Sequence, residues 1–114
     1  MVDVRLTPLS RKPGLSKTRL GAAAAERGIE YLHDRRLGNP KPNREPFWNG
    51  RSEAGGIVYR QHLDAAGGLP DLCSVVRTRP VIALLCFEAK HEHCHRLPLA
   101  CALAEQVELA LIHI

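Results

Sequence analysis

Residues Val81 to Phe87 read Val-Ile-Ala-Leu-Leu-Cys-Phe, an unbroken apolar run rich in branched side chains. Such a run suits a strand buried on both faces, as in a parallel sheet covered by helices, and we expect it at the centre of the sheet. Its surroundings agree with that architecture. Val2 to Leu6 alternates apolar and charged residues and stops at Thr7-Pro8, which reads as a first strand. Ser16 can cap a helix through Leu20 and the alanines 22 to 25, with Gly28 as its left-handed stop, and Ile29 to His33 then reads as a second strand.

From Asp34 to Arg51 the turn residues Gly38-Asn39-Pro40-Lys41-Pro42-Asn43 predict a long loop, of the kind that tends to be functional or disordered. A weaker helix is expected over Ser52 to Leu63, and residues 71 to 79 fit helix or strand. A last helix should end near Gln106, and Val107 to Ile114 reads as an apolar final strand. Strands and helices alternating in this order predict an α/β fold, a mostly parallel sheet with helices packed on it, in a single small domain over residues 1–114.

Composition bounds what such a domain can do. With 114 residues, 45% of them hydrophobic and 25% charged, the chain can bury one core and does not have the make-up of a disordered protein. No apolar run approaches the roughly 20 residues that cross a bilayer, and Asp3 and Arg5 follow Met1 at once. A cytoplasmic protein with no membrane partner is therefore expected. Cys73, Cys86, Cys94 and Cys101 lack the density of a secreted disulfide scaffold, so reduced thiols are expected. Residues 1–60 carry 12 Lys and Arg against 6 acids, whereas residues 61–114 carry 4 against 6. That basic first half fits an anionic partner or, equally well, a solvated surface.

In open α/β sheets, ligands bind beyond the carboxyl ends of the strands. Three polar groups follow the expected strands: Ser10-Arg11-Lys12, then Asp34-Arg35-Arg36 with Asn39, and then the stretch from Cys86 through Glu88, His91, Glu92, His93, Cys94 and His95 to Arg96. The third group is the densest in reactive side chains. A thiol at a strand end or near a helix N-terminus can be deprotonated by the helix dipole and nearby cations, as a nucleophile or a metal ligand requires. Cys86 and Cys94 are the candidates, and Cys73 and Cys101 are expected to be buried fillers. Zinc could take Cys86, Cys94, His95 and one of His91 or His93, but the paired spacing of common structural zinc sites is missing. No metal ligand is assigned on this ground, and no cofactor is named.

Pro98 pushes the regular helix to begin at about His95 or later, which leaves Cys94, His95 and Arg96 at its positive end, suited to a phosphate or carboxylate. Arg96 can instead clamp Glu88 or Glu92. Phe47 and Trp48 either plug their loop onto the body or stack on a nucleic-acid base.

Taken together, Val2-Asp-Val-Arg5, Pro8-Leu-Ser-Arg-Lys-Pro-Gly14 with Ser16-Lys17, Leu37-Gly38, Cys86-Phe-Glu and Cys94-His-Arg96 resemble the domain-of-unknown-function family 488 over nearly the whole chain. The resemblance implies an α/β fold and a polar pocket built from Asp3, Arg5, Ser10, Cys86, Glu88, Cys94, His95 and Arg96. It supplies no reaction. Relatives usually carry a strand and a helix before the Asp-Val-Arg strand, so either the sheet lacks that element here or the start is a trimmed boundary, and Leu97-Pro98 replaces residues more compatible with helix.

Two classes of function follow. In the first, the domain binds or acts on an anionic, phosphate- or nucleotide-like small molecule, with Cys86 or Cys94 as nucleophile and Glu88 or His95 as proton carrier. Arg5, Arg11 and Arg96 would clamp the anion, and a rhodanese-like sulfur carrier is a variant. In the second, the basic half and Trp48 make a nucleic-acid-binding accessory module.

Overall fold

The computed structural model describes residues 1–108. Its centre is a three-stranded parallel sheet in the order β2-β1-β3, formed by β1 (Val2–Asp3), β2 (Leu32–His33) and β3 (Leu84–Leu85). Val2 stands opposite Leu32 and Leu84, and Asp3 opposite His33 and Leu85. The hydrogen bonding runs slightly beyond these pairs, since Val2 N–H donates to the Ala83 carbonyl at 2.8 Å and Val4 N–H to the Leu85 carbonyl at 3.0 Å.

The helices follow from their apolar spacing. In α3 (Ser52–Ala66), Gly55, Tyr59 and Leu63 are buried one turn apart, as an amphipathic face requires, and Gly67 ends the helix at φ 79°. Leu69, Leu72 and Cys73 make the buried face of α4 (Leu69–Arg77), the segment that sequence left open between helix and strand. Leu99, Ala100, Ala102 and Leu103 do the same for α5 (Arg96–Gln106). The core joins Val2 and Val4 of the sheet to Leu37, Phe47, Tyr59, Leu63, Leu72, Leu99 and Leu103. Helix α1 (Lys17–Glu26) begins after Ser16 as expected, but Ser16 Oγ accepts from Ser10 N–H at 3.0 Å and makes no side-chain cap.

Several expectations change. Val81 to Phe87 pairs only at Leu84–Leu85, and among the described residues β1, not β3, is central. Pairing stops where its template stops, because β1 is itself short and the chain turns away before Pro8. The ends of the run consequently lie in solvent, with Val81 83% and Phe87 48% exposed. The 34–51 stretch is an ordered chain of short turns that includes α2 (Glu45–Trp48). Its anchor is buried: Asn43 Nδ2 donates to Asn39 Oδ1 and to the Gly55 carbonyl, both at 2.9 Å. Two glycines let the stretch close on the body, since a Cβ at Gly38 would lie 2.6 Å from Leu6 Cα and one at Gly55 2.8 Å from the Phe47 ring. The expected final strand falls largely on residues 109–114, outside the described residues. No described helix is long and apolar enough to cross a membrane.

Candidate functional site

Parallel strands put their carboxyl ends on one edge, so β1 delivers Val4 and Arg5 beside the Cys86 to Glu88 segment that follows β3. The start of α5 closes onto this edge. His95, 5% exposed, donates from Nε2 to the Val4 carbonyl at 2.9 Å, a contact spanning 91 positions. A carbonyl can only accept, so in the neutral ring the hydrogen sits on Nε2 and the lone pair on Nδ1. That lone pair faces two sulfurs, Cys94 Sγ at 3.6 Å and Cys86 Sγ at 3.9 Å. The three donor atoms all lie within 4.8 Å of one another. Tyr59 backs the imidazole with its ring centroid 5.0 Å away, and its hydroxyl donates to the Leu37 carbonyl at 2.8 Å.

The two thiols perturb each other. A hydrogen bond from Cys86 lowers the Cys94 pKa most, and this bond with the help of His95 outweighs the desolvation that opposes it. Cys86 is pushed up by the same bond and by burial. One thiolate shared between two sulfurs is the state this favours. The helix contributes as well, because Arg96 N–H, at the start of α5, points at Cys94 Sγ from 3.5 Å.

Glu88 flanks the thiols, with Oε2 accepting from Cys86 Sγ at 3.7 Å and Oε1 from the Trp48 indole N–H at 3.0 Å. Arg96 donates to the Glu88 backbone carbonyl, so it braces the loop as the clamp reading anticipated, though on the backbone and not on a carboxylate. Phe47 plugs the core, while Trp48 is 55% exposed at the site.

Beneath the site, Asp3 and Arg5 form a buried two-pronged ion pair. Arg5 Nε reaches Oδ1 at 2.8 Å, one terminal nitrogen reaches Oδ2 at 2.6 Å, and the other reaches the Leu15 carbonyl at 2.7 Å. Tyr31 donates its hydroxyl to Asp3. Burial would raise the Asp3 pKa, but the bonds from Arg5 and Tyr31 win and hold it below the ordinary range. Burial and the Asp3 contact push Tyr31 up to about 12. Arg5 also lies over the Phe87 ring, 5.1 Å from its centroid.

Arg5, Cys86, Glu88, Cys94 and His95 therefore line one cleft of about 30 Å³, together with Asn39, Arg44, Phe47, Trp48 and His93. Asp3 stands behind Arg5, whereas Ser10 and Arg11 belong to the loop before α1 and do not line the cleft. Cys73 is buried as expected, but Cys101 is exposed, because its position on α5 turns away from the face that packs on the core. Sequence reasoning passed over Arg44, whose guanidinium has no hydrogen-bond or ion-pair partner among the described residues. It also passed over Tyr31 and Tyr59, and no local pattern marks any of the three.

The family described as domain of unknown function DUF488 matches residues 1–103, and the chain belongs to it. No curated protein and no solved structure matches the chain.

Proposed function

We propose that this DUF488 domain binds a small phosphate- or carboxylate-bearing molecule at the mouth of the cleft and acts on it with Cys86, Glu88, Cys94 and His95. The observation that carries this reading is Arg44, a cation with no partner among the described residues, beside convergent thiol and imidazole groups in one cleft. Two other arginines at the site hold its walls: Arg5 is bound to Asp3 and the Leu15 carbonyl, and Arg96 donates to the Glu88 carbonyl while its buried Nε has no partner among the described residues. An anion meeting Arg44 gains a two-pronged, charge-assisted contact that a lysine would not offer. The half-exposed indole of Trp48 lines the same cleft and offers an apolar surface beside the anion.

The test is a titration of inorganic phosphate against thermal stability at fixed ionic strength, in the parent and in Arg44→Ala. A ligand that binds only the folded state raises the midpoint by mass action. The parent midpoint should rise and that of Arg44→Ala should rise much less. Equal responses would remove Arg44, and with it this reading.

A further inference from the structure

We infer that Cys86, Cys94 and His95 form a binding site for one divalent transition metal, zinc being the best fit, with the fourth coordination position turned towards the cleft. The argument is geometric. Tetrahedral zinc with Zn–S of about 2.3 Å and Zn–N of about 2.0–2.1 Å sets its sulfur and nitrogen ligands about 3.6 Å apart. Here the Nδ1 to Sγ separations are 3.6 and 3.9 Å, so two edges of the tetrahedron match, and the two sulfurs lie within 4.8 Å of each other. Two thiolates and an imidazole are also the borderline-soft donor set that zinc prefers over the harder cations.

The tautomer agrees. A metal-binding histidine commonly donates its other ring N–H to a backbone carbonyl or carboxylate, which fixes the ring and presents the bare nitrogen to the ion. His95 does this through Val4, and Tyr59 packs against the ring. Cys94 and His95 are held by the start of α5 and Cys86 by the end of β3, so folding alone assembles the ligands. The sequence spacing that disfavoured zinc applies to ligands paired on short knuckles, and this set draws on two separate elements.

A cleft of about 30 Å³ suits an ion at its base better than a whole organic molecule. Three protein ligands with an open fourth position mark catalytic more than structural zinc. Cys86, Cys94 and His95 all line the cleft, so an oxygen of the anion held by Arg44 can complete the coordination, and the metal would polarise it as a Lewis acid. Glu88, whose Oε2 lies 3.7 Å from Cys86 Sγ, is not part of the three-donor cluster and lines the same cleft, where it can accept a proton. Binding itself is an exchange of protons for the cation, the thiols releasing theirs to solvent as the Sγ–metal bonds form. The inference deepens the anion-cleft reading and rests on it only for what fills the fourth position.

The experiment adds Co²⁺ or Zn²⁺ to the reduced, chelator-treated full chain. One equivalent of Co²⁺ should give the visible absorption of a tetrahedral site with a thiolate-to-metal charge-transfer band, and Zn²⁺ should displace it. Cys86→Ser, at a half-buried position and with its folding checked by circular dichroism, should weaken binding at least tenfold and lose the charge-transfer intensity, while Cys101→Ser should leave both intact. Zn²⁺ should also protect Cys86 and Cys94, but not Cys101, from alkylation. A folded parent that binds no Co²⁺, or a Cys86→Ser spectrum equal to the parent's, overturns the inference. If metal fails to bind while phosphate still stabilises through Arg44, the metal centre falls and the anion cleft stands. If metal binds and Arg44→Ala changes nothing, the reverse holds.

Discussion

Two buried polar clusters lie side by side beneath the same strand edge, and they differ in one respect. Around Asp3, every strong donor and acceptor is matched: two nitrogens of Arg5 reach its two oxygens, Tyr31 adds a third donor, and the remaining arm of Arg5 ends on Leu15. Around Cys94, one imidazole lone pair faces two sulfurs, and Arg44 lies nearby without a partner among the described residues. Every nitrogen of Arg5 and both oxygens of Asp3 in the first cluster are already engaged. The second is tied by sulfur contacts of 3.6 and 3.9 Å, weaker than the nitrogen–oxygen bonds of the first, so its donors can turn to a ligand at small cost. A dense polar network is thus not by itself a sign of function. Weakly committed donors within it are.

The comparison predicts that the two clusters respond differently to damage. The largest effect should come from Asp3→Asn, which leaves the Arg5 cation buried and uncompensated, at a cost of about 3–5 kcal/mol in urea denaturation. A loss under about 1 kcal/mol would mean that the saturated cluster is not structural, and the contrast would collapse.

Acid should act on the same cluster. Asp3 has a folded pKa below its unfolded value near 3.9, so its contribution is complete above that value and drains away as pH falls through the lower, folded one. Thermal midpoints measured between about pH 5 and pH 2 should therefore fall more steeply in the parent than in Asp3→Asn. Parallel curves would show that the carboxylate gains nothing from Arg5 and Tyr31.

The smallest effect should belong to the unsaturated cluster. Cys94→Ala in the metal-free chain removes one sulfur and no saturated bond network, and should cost about 1 kcal/mol. Urea denaturation of this variant sharpens the comparison, since a loss as large as that of Asp3→Asn would make Cys94 a structural residue first.

Much of the fold was legible in sequence, because helix and strand are written in local periodicity and in stop residues. Tyr59 and Leu63 of α3 recur at helical spacing, and Gly67 closes that helix. The Cys86 to Arg96 stretch announced itself by density of reactive side chains, and the parallel order of strands put its start at their carboxyl edge. The length of β3 was not legible, because how far an apolar run pairs depends on the partner strand.

Sequence alone thus determined the fold class, the family and the loop densest in reactive side chains. Tertiary structure decided which side chains of that chemistry meet. Arg5 and Arg44 are both arginines of the same basic half, yet packing seats one against Asp3 and leaves the other facing the cleft. The His95 tautomer depends on a carbonyl 91 positions earlier, and the fit of Nδ1 to two sulfurs depends on where α5 docks against β1. Periodicity fixes a residue's face within its own element, whereas a distance between elements is set by the packing of the core they share.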